Sequence, residues 1–357
     1  MSHGYIPVQW NPRKKTYDLL VWLTILLYLI VFMVVSAIQH SGPEALPVIT
    51  LLIRGFASLA FLMLTFTLSI GPLARLHRVF IPLLYNRRHL GVSTFIIALL
   101  HGALVIFWYH SFGVMNPIAS IFNSPGSYQF TADFRFQPFG FLALTVLFVM
   151  AATSHDYWNT NLGAPLWKAL HMGVYIAYLF VIVHIAFGAM QDEALSYMFA
   201  LVLGSVILLG SLHISASLKS LYTDHQIDAK NWVEVCNWQD IANDRAIIVT
   251  VKDQERVAIF RYESKKLAAI ANECQHQNGP LGEGRVIDGF ITCPWHGYQY
   301  QPGDGRSPKP FTEKVATYEL KLEGDRVWLN PKPLPAGTPR TVIEIAQVIA
   351  VMEPKNV

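Results

Sequence analysis

Six stretches of this chain are so apolar and so long that they suit a bilayer better than water. They run near residues 19–38, 48–70, 90–109, 139–152, 166–190 and 195–218. Crossing about 30 Å of hydrocarbon takes roughly 20 residues of helix, and only the fourth stretch is clearly short of that. In lipid every backbone N–H and C=O must be satisfied within the segment, so runs of this kind fold as helices. The whole chain is 53% hydrophobic and 14% charged, too apolar for an ordinary soluble protein of 357 residues. Cations precede the first stretch (Arg13, Lys14, Lys15), separate the second from the third (Arg75, Arg78, Arg87, Arg88), close the fourth–fifth loop (Lys168) and follow the sixth (Lys219). The alternate loops carry Glu44, Asp133, Asp192 and Glu193, with Arg135 as the exception. This bias predicts a multi-pass protein of the cell (inner) membrane with both termini in the cytoplasm. The polar, basic start runs into a full-length span, which is the pattern of a retained anchor and not of a cleaved signal. A net charge of +3 gives no reason to expect nucleic acid.

After Leu221 the texture changes. Short runs at 246–251, 257–262, 266–271, 318–322 and 327–329 alternate apolar with polar residues, and Asp253, Gly289, Gly303 and Gly324-Asp325 separate them. That is the pattern of a small antiparallel β domain. The expected fold is therefore multidomain: a six-helix, all-α transmembrane bundle over 1–222, an all-β domain over 231–333, and a tail over 334–357. Of the three cysteines, Cys236 falls in a strand-like run, so no disulfide framework is expected.

Cys274 and His276 form a C-x-H pair, and Cys293 and His296 a C-x-x-H pair sixteen residues further on. Two thiolates and two imidazoles divided in this way are the ligands of a Rieske [2Fe–2S] centre, where one iron keeps two Cys and the other takes two His. A structural Cys₂His₂ zinc site is the alternative, but zinc sites more often pair Cys with Cys and His with His. The flanks favour the cluster, since Cys293-Pro294-Trp295-His296-Gly297 lies between a short apolar run and a Gly/Pro-rich loop. Residues 231–330 resemble Rieske ferredoxins and the Rieske domains of ring-hydroxylating oxygenases. Gly279 and Trp295 stand where cytochrome bc-type members have an extra disulfide, and Tyr298 stands where they have a serine that donates to sulfur. Tyr300 is kept as a donor. With fewer donors the resemblance implies a potential at the lower end of the Rieske range. It also implies exposed edges of His276 and His296 as the electron port. The string Lys309-Pro310-Phe311-Thr312 looks like a flavin-binding motif, but it falls in the loop that covers the cluster in Rieske domains.

Histidines inside spans are costly and point to function. His101 lies in the third stretch; His171 and His184 lie thirteen residues apart in the fifth, about 20 Å along a helix. Facing imidazoles on neighbouring helices suit a b-type haem; the alternative for each is a histidine bonded to a nearby carbonyl. Residues 55–186 resemble the ferric reductase-like transmembrane family, which includes the haem subunit of a bacterial methionine sulfoxide reductase system and, more distantly, NADPH oxidases. The resemblance rests on Gly71-Pro72-Leu73-Ala74-Arg75, Arg87-Arg88-His89-Leu90-Gly91, His101, and Leu166-Trp167-Lys168-Ala169-Leu170-His171 with His184. It implies haem b on His101, His171 and His184. His110, nine residues past His101, is turned from it by about 180°, close to the roughly 220° between His171 and His184, and is the candidate for a second haem. By depth His101 pairs with His171 and His110 with His184, or one haem takes His101 and a single partner. Arg54, within the second stretch, either meets a haem propionate or snorkels to the surface.

These parts describe an electron carrier between a cytoplasmic cluster and membrane haem, fed by a cytoplasmic reductase or ferredoxin and discharging to an acceptor at the outer face. No Gly-x-Gly-x-x-Gly follows a strand, so the β domain stands in for the flavin module of the ferric reductase family. A membrane-anchored Rieske oxygenase needs a further iron held by two His and a carboxylate, and no histidine follows His296. A redox sensor that reports to a partner is the third reading.

Overall fold

The computed structural model of the chain describes residues 12–42, 45–80, 83–84, 86–123, 134–155, 158, 162, 164–191, 197–223, 225–227, 231–251, 256–276, 279–295, 297–309 and 311–345. His296, Glu44, Asp133, Asp192, Glu193, Pro310 and the tail beyond 345 lie outside the described residues, as do the side chains of Arg13, Lys14, Arg78 and Lys168. The chain divides into a helical unit (7–72 and 86–214) and a second unit (73–85 and 215 onward).

The helical unit is built from α1 (Pro12–Gln39), α2 (Val48–Leu76), α3 (Arg87–Val105), α4 (Pro117–Asn123), α5 (Gln137–Ala152), α6 (Ala164–Met172), α7 (Val174–Phe187) and α8 (Tyr197–Thr223). Among the described residues five helices are long and apolar enough to cross a membrane, with Gln137–Ala152 as a shorter apolar one. The fourth stretch is thus the short helix that its length implied. α6 and α7 together form the fifth span, with Gly173 between them. The burial pattern is that of a bundle in lipid. Leu27, Ile30, Ile38, Phe66, Leu179 and Ile214 are exposed, while Phe61, Leu64, Leu68, Leu147, Ala177 and Val202 form a core between α2, α5, α7 and α8. Phe61 stacks on Tyr178 at 5.9 Å, and the Tyr178 hydroxyl lies 3.4 Å from Thr65 Oγ1. On α1, the described side chains bury only Ile25 and Ser36, so this helix flanks the bundle. Two features were not legible beforehand. α3 continues into a π-helical turn over Ile106–His110, and the short α4 follows it.

In the second unit a sheet in the order β1 (His225–Ile227), β3 (Arg245–Val251), β4 (Arg256–Tyr262), β5 (Lys266–Ala271), β12 (Ile343–Glu344) also takes β9 (Thr317–Tyr318) against β5. β10 (Leu320–Glu323), β11 (Arg326–Leu329) and β2 (Val233–Asn237) form a second sheet; β6 (Arg285–Ile287), β7 (Phe290–Thr292) and β8 (Gln299–Tyr300) form a third. Apart from the parallel β1–β3 pair, the ladders are antiparallel. Val257 to Phe260 on β4 and Leu267 to Ile270 on β5 are fully buried on both faces, so the sheet is covered on each side. The run expected over 318–322 is divided, because Glu319 interrupts it between β9 and β10. The last strand, β12, returns the described part of the tail to β5 through Ile343↔Leu267. Lys219 Nζ donates to the carbonyls of Arg75 (3.1 Å) and Leu76 (2.6 Å), satisfying the open C-terminal end of α2.

Cys236 sits half-buried on β2. Burial first, then the charge of Asp240, push its thiol up to about 12. At pH 8 only about 10⁻⁴ of it is thiolate. In the folded chain its alkylation by iodoacetamide, followed by mass spectrometry, should be negligible at pH 8 and rise about tenfold per pH unit toward pH 11.

Candidate metal centres

Cys274 and Cys293 are brought together by two closed turns. Cys274 N donates to Gly279 O at 2.9 Å, Cys293 N donates to Tyr298 O at 2.7 Å, and Gly297 N donates back to Cys293 O at 3.0 Å. The two thiols are hydrogen-bond neighbours and both are buried. Gly279 makes this approach sterically feasible, for a Cβ there would lie 2.6 Å from Cys293 Sγ and 3.2 Å from the Trp295 ring. Gly279 thus sits between the Cys293 sulfur and the Trp295 ring.

Tyr300 Oη lies 3.4 Å from Cys274 Sγ and accepts from Gln275 N at 3.0 Å. With its oxygen serving as acceptor for the amide, its proton is left for the sulfur. Burial, then the neighbouring Cys274 charge, raise the Tyr300 phenol far above its usual range, so it stays a donor. Burial alone would raise the Cys274 thiol as well. The Cys293 thiol, the Tyr300 hydroxyl and His276 outweigh it and bring Cys274 down to about 7.

His276 was expected to show an edge to solvent; it is only 5% exposed. Its ring stacks on Tyr298 at 4.8 Å and 8°. Tyr298 is held in place by donating to Glu313 Oε2 and by packing on Phe311 at 4.9 Å. Thr312 N donates to the same carboxylate oxygen at 3.0 Å. Phe311 and Thr312, from the flavin-like string, therefore support the cover over His276. Among the described residues no three His, Cys, Asp or Glu side chains converge as a metal site. The structure supplies a thiol pair with His276 two residues beyond one of its members, while His296 falls outside the described residues.

In the helical unit the histidines share one arrangement. His101 Nδ1 donates to Ile53 O at 3.1 Å, His184 Nδ1 to Phe136 O at 3.1 Å, and His171 Nδ1 to Trp167 O at 2.9 Å. His110 Nδ1 is paired with Ser120 Oγ of α4 at 2.8 Å. A proton fixed on Nδ1 leaves the Nε2 lone pair free to bind a metal, and metal-binding histidines are commonly oriented this way. Nε2 of His171 is buried and makes no hydrogen bond among the described residues.

His101 and His184 lie close enough to sense each other's charge, while His171 senses Arg88 and Arg87 at the start of α3. His101 thus neighbours His184, one of the partners that a single haem on His101 would take. The reason is the phase of the two helices. His171 is level with Arg87 and Arg88, so His184, thirteen residues on, comes level with His101, fourteen residues past Arg87. His110 is buried within the π turn, which interrupts the α-helical phase from which its offset to His101 was counted. Arg54 is half-buried and follows Ile53, the residue whose carbonyl anchors His101.

Several positioning groups were not foreseen. Trp167 stacks on His171 at 3.6 Å and donates its indole N–H to Thr153 O at 2.8 Å. Gly140 lets α5 pass against His184, where a Cβ would lie 2.8 Å from the ring. The i, i+4 spacing of Trp167 and His171 was a readable signal. The carbonyls of Ile53 and Phe136 offered none.

Among known protein families, residues 231–319 match the model of the Rieske [2Fe-2S] domain, and residues 54–182 match that of the ferric reductase like transmembrane component. Chlorophyllide a oxygenase of Arabidopsis thaliana is 32% identical over 34% of this chain and 23% of its own length. Oxidoreductase NdmD of Pseudomonas putida is 24% identical over 35% of this chain and 22% of its own. The ferredoxin component of the alkene monooxygenase system of Xanthobacter autotrophicus is 29% identical over 30% of this chain and 88% of its own. The chain thus spans less than a quarter of the first two of these relatives. A solved ferredoxin of carbazole 1,9a-dioxygenase from Nocardioides aromaticivorans is 23% identical over 29% of this chain and all of its own, with a TM-score of 0.27.

Gly279→Ala should drive a methyl into the Cys293 sulfur and abolish most iron binding. Iron and sulfide per chain, measured on purified protein against Gly279-containing controls, should fall together while helix content by circular dichroism is retained.

Proposed function

We propose that this union of a ferric reductase-like membrane component with a Rieske domain is a transmembrane electron carrier. It would link a cytoplasmic [2Fe–2S] centre to haem b in the bilayer. The observation that carries the reading is the shared anchoring of His101, His184 and His171. Each has Nδ1 on a main-chain carbonyl, and His101 lies near His184. Among the described residues His171 Nε2 is buried with no hydrogen bond, as a ligand position would be.

The residues present fit both groups. Cys274 and Cys293 would hold one iron of the cluster, His276 and His296 the other; His101 and His184 would hold one haem, and His171 is the candidate for a second. Bound there, the cluster and haem supply reversible one-electron exchange. The chain's own side chains set the terms of that exchange. Tyr300 donates to the Cys274 sulfur, Tyr298 and Glu313 shield His276 from water, and Arg54 supplies positive charge beside the His101 level. His110, held by Ser120 in the π turn, is kept for the second haem only as a weaker alternative to His171. Both termini lie in the cytoplasm of a cell-membrane protein in this reading. A soluble reductase or ferredoxin meets the β domain there, and the acceptor lies beyond the opposite face. The ferredoxin name among the relatives is consistent with such a role.

Redox-poised spectra of purified membranes test the reading. We expect a b-type α-band together with the EPR signal of a Rieske centre; zinc as the sole metal at Cys274 and Cys293 would sink the proposal. His101→Ala and His184→Ala should each remove the same haem, whereas His171→Ala should leave that one and lower total haem per chain only if a second is bound. Tyr300→Phe should keep the cluster and lower its midpoint potential by about 50 mV, the equivalent of one lost hydrogen bond in a one-electron couple.

A further inference from the structure

In the β unit the described chain beyond Asn330 has no part in the functional reading above. The match to the Rieske family model stops at residue 319, so this segment lies outside it. Both of its ends are tied to the core. Leu334 N donates to Thr317 O of β9 at 2.9 Å; β12 pairs Ile343 with Leu267, and Ile345 N donates to Lys265 O at 2.8 Å. Ile345 is buried, and Val342 and Ile343 pack against the same core. Pairing of β12 alone would complete the sheet. The bonds made before it go instead to the loop over 302–313, whose Phe311, Thr312 and Glu313 hold Tyr298 over His276.

Three grips connect the segment to that loop. At the loop's entry, Arg340 donates from its main-chain N to Gly303 O (3.1 Å) and from Nη2 to Pro302 O (3.1 Å). In its middle, Arg306 Nε donates to Gly337 O at 2.8 Å. Just past its exit, Gly337 N donates to Val315 O at 3.2 Å, and Thr317 Oγ1 donates to Thr338 O at 3.1 Å. Gly337 suits this place through its backbone. Thr338 N donates to Pro335 O at 3.0 Å, closing a turn with Gly337 third at φ +81°, where a type II turn calls for glycine. A Cβ there would also lie 2.6 Å from Lys314 Cδ and 3.3 Å from Arg306 Nε. We propose that residues 334–340 are a clamp that keeps the loop closed over His276, with Gly337, Thr338 and Arg340 as its positioning residues. With the clamp shut, Tyr298 stays stacked on the imidazole and water is kept from it. With the clamp open, the loop is free at both ends and the ring is uncovered. That the covered ring is an iron ligand rests on the cluster reading above; the closure does not.

Hydrogen exchange on the full chain in nanodiscs, read by peptide mass spectrometry, tests the closure. Thr317→Val keeps the shape of a core side chain and removes one grip, while Gly337→Ala strains the turn and drives a methyl at Lys314. In each, amides over 303–316 should exchange about fivefold faster, as one lost hydrogen bond implies, while those of β4 and β5 keep their wild-type rates. In reduced, iron-loaded protein, transfer of iron to a ferrous chelator should quicken by a similar factor. The clamp is overturned by unchanged exchange over 303–316 in both variants, by a rise that β4 and β5 share equally, or by iron transfer that does not follow the loop. The two readings fail separately. Faster loop exchange in a chain that binds no iron removes the cluster and keeps the closure, whereas a Rieske EPR signal with unmoved loop exchange does the reverse.

Discussion

A hydrogen bond from an imidazole Nδ1–H to a main-chain carbonyl is the contact on which the chemistry of the helical unit depends. It fixes the tautomer, so that Nε2 carries the lone pair, and it fixes the plane of the ring. In lipid such a bond has no competition from water, and leaving it unmade would be costly. The bonds also cross between elements. His101 on α3 is tied to Ile53 on α2, and His184 on α7 is tied to Phe136 just before α5. The contacts that leave the lone pair on Nε2 of these imidazoles are thus among those that set the helix packing.

The β unit solves a related problem with different atoms. Two buried sulfurs must be brought together without closing on each other, and their charge must be tolerated once they ionise. The close passage of Gly279 handles the first demand and the Tyr300 hydroxyl the second. Tyr298 covers His276 and directs its own hydrogen bond outward to Glu313. A serine at that place could donate but could not cover.

The spans, the central strands β3 to β5 and the thiol pair were legible in the sequence because each depends on side-chain chemistry repeated along the chain. A run of leucine and isoleucine states its solvent, and a C-x-H with a C-x-x-H states its donor set. The strands β6 to β8 were not legible, being two or three residues long and specified by the turns they flank. The anchors of His101 and His184 were invisible for a deeper reason. Every residue carries a carbonyl, so nothing in the letters Ile53 or Phe136 marks theirs. The nearness of His101 to His184 needed the helix offsets as well, and those follow from packing between residues far apart in the chain.

The π turn at Ile106–His110 has a consequence for how this span can vary. A π turn closes one revolution with about one residue more than the α-helical path. Removing a single residue between Ile106 and Tyr109 would let α-helix run through while His110 kept roughly its present face and its reach to Ser120. The turn therefore absorbs an insertion or deletion, and relatives that differ by one residue here can still present the same face beyond it.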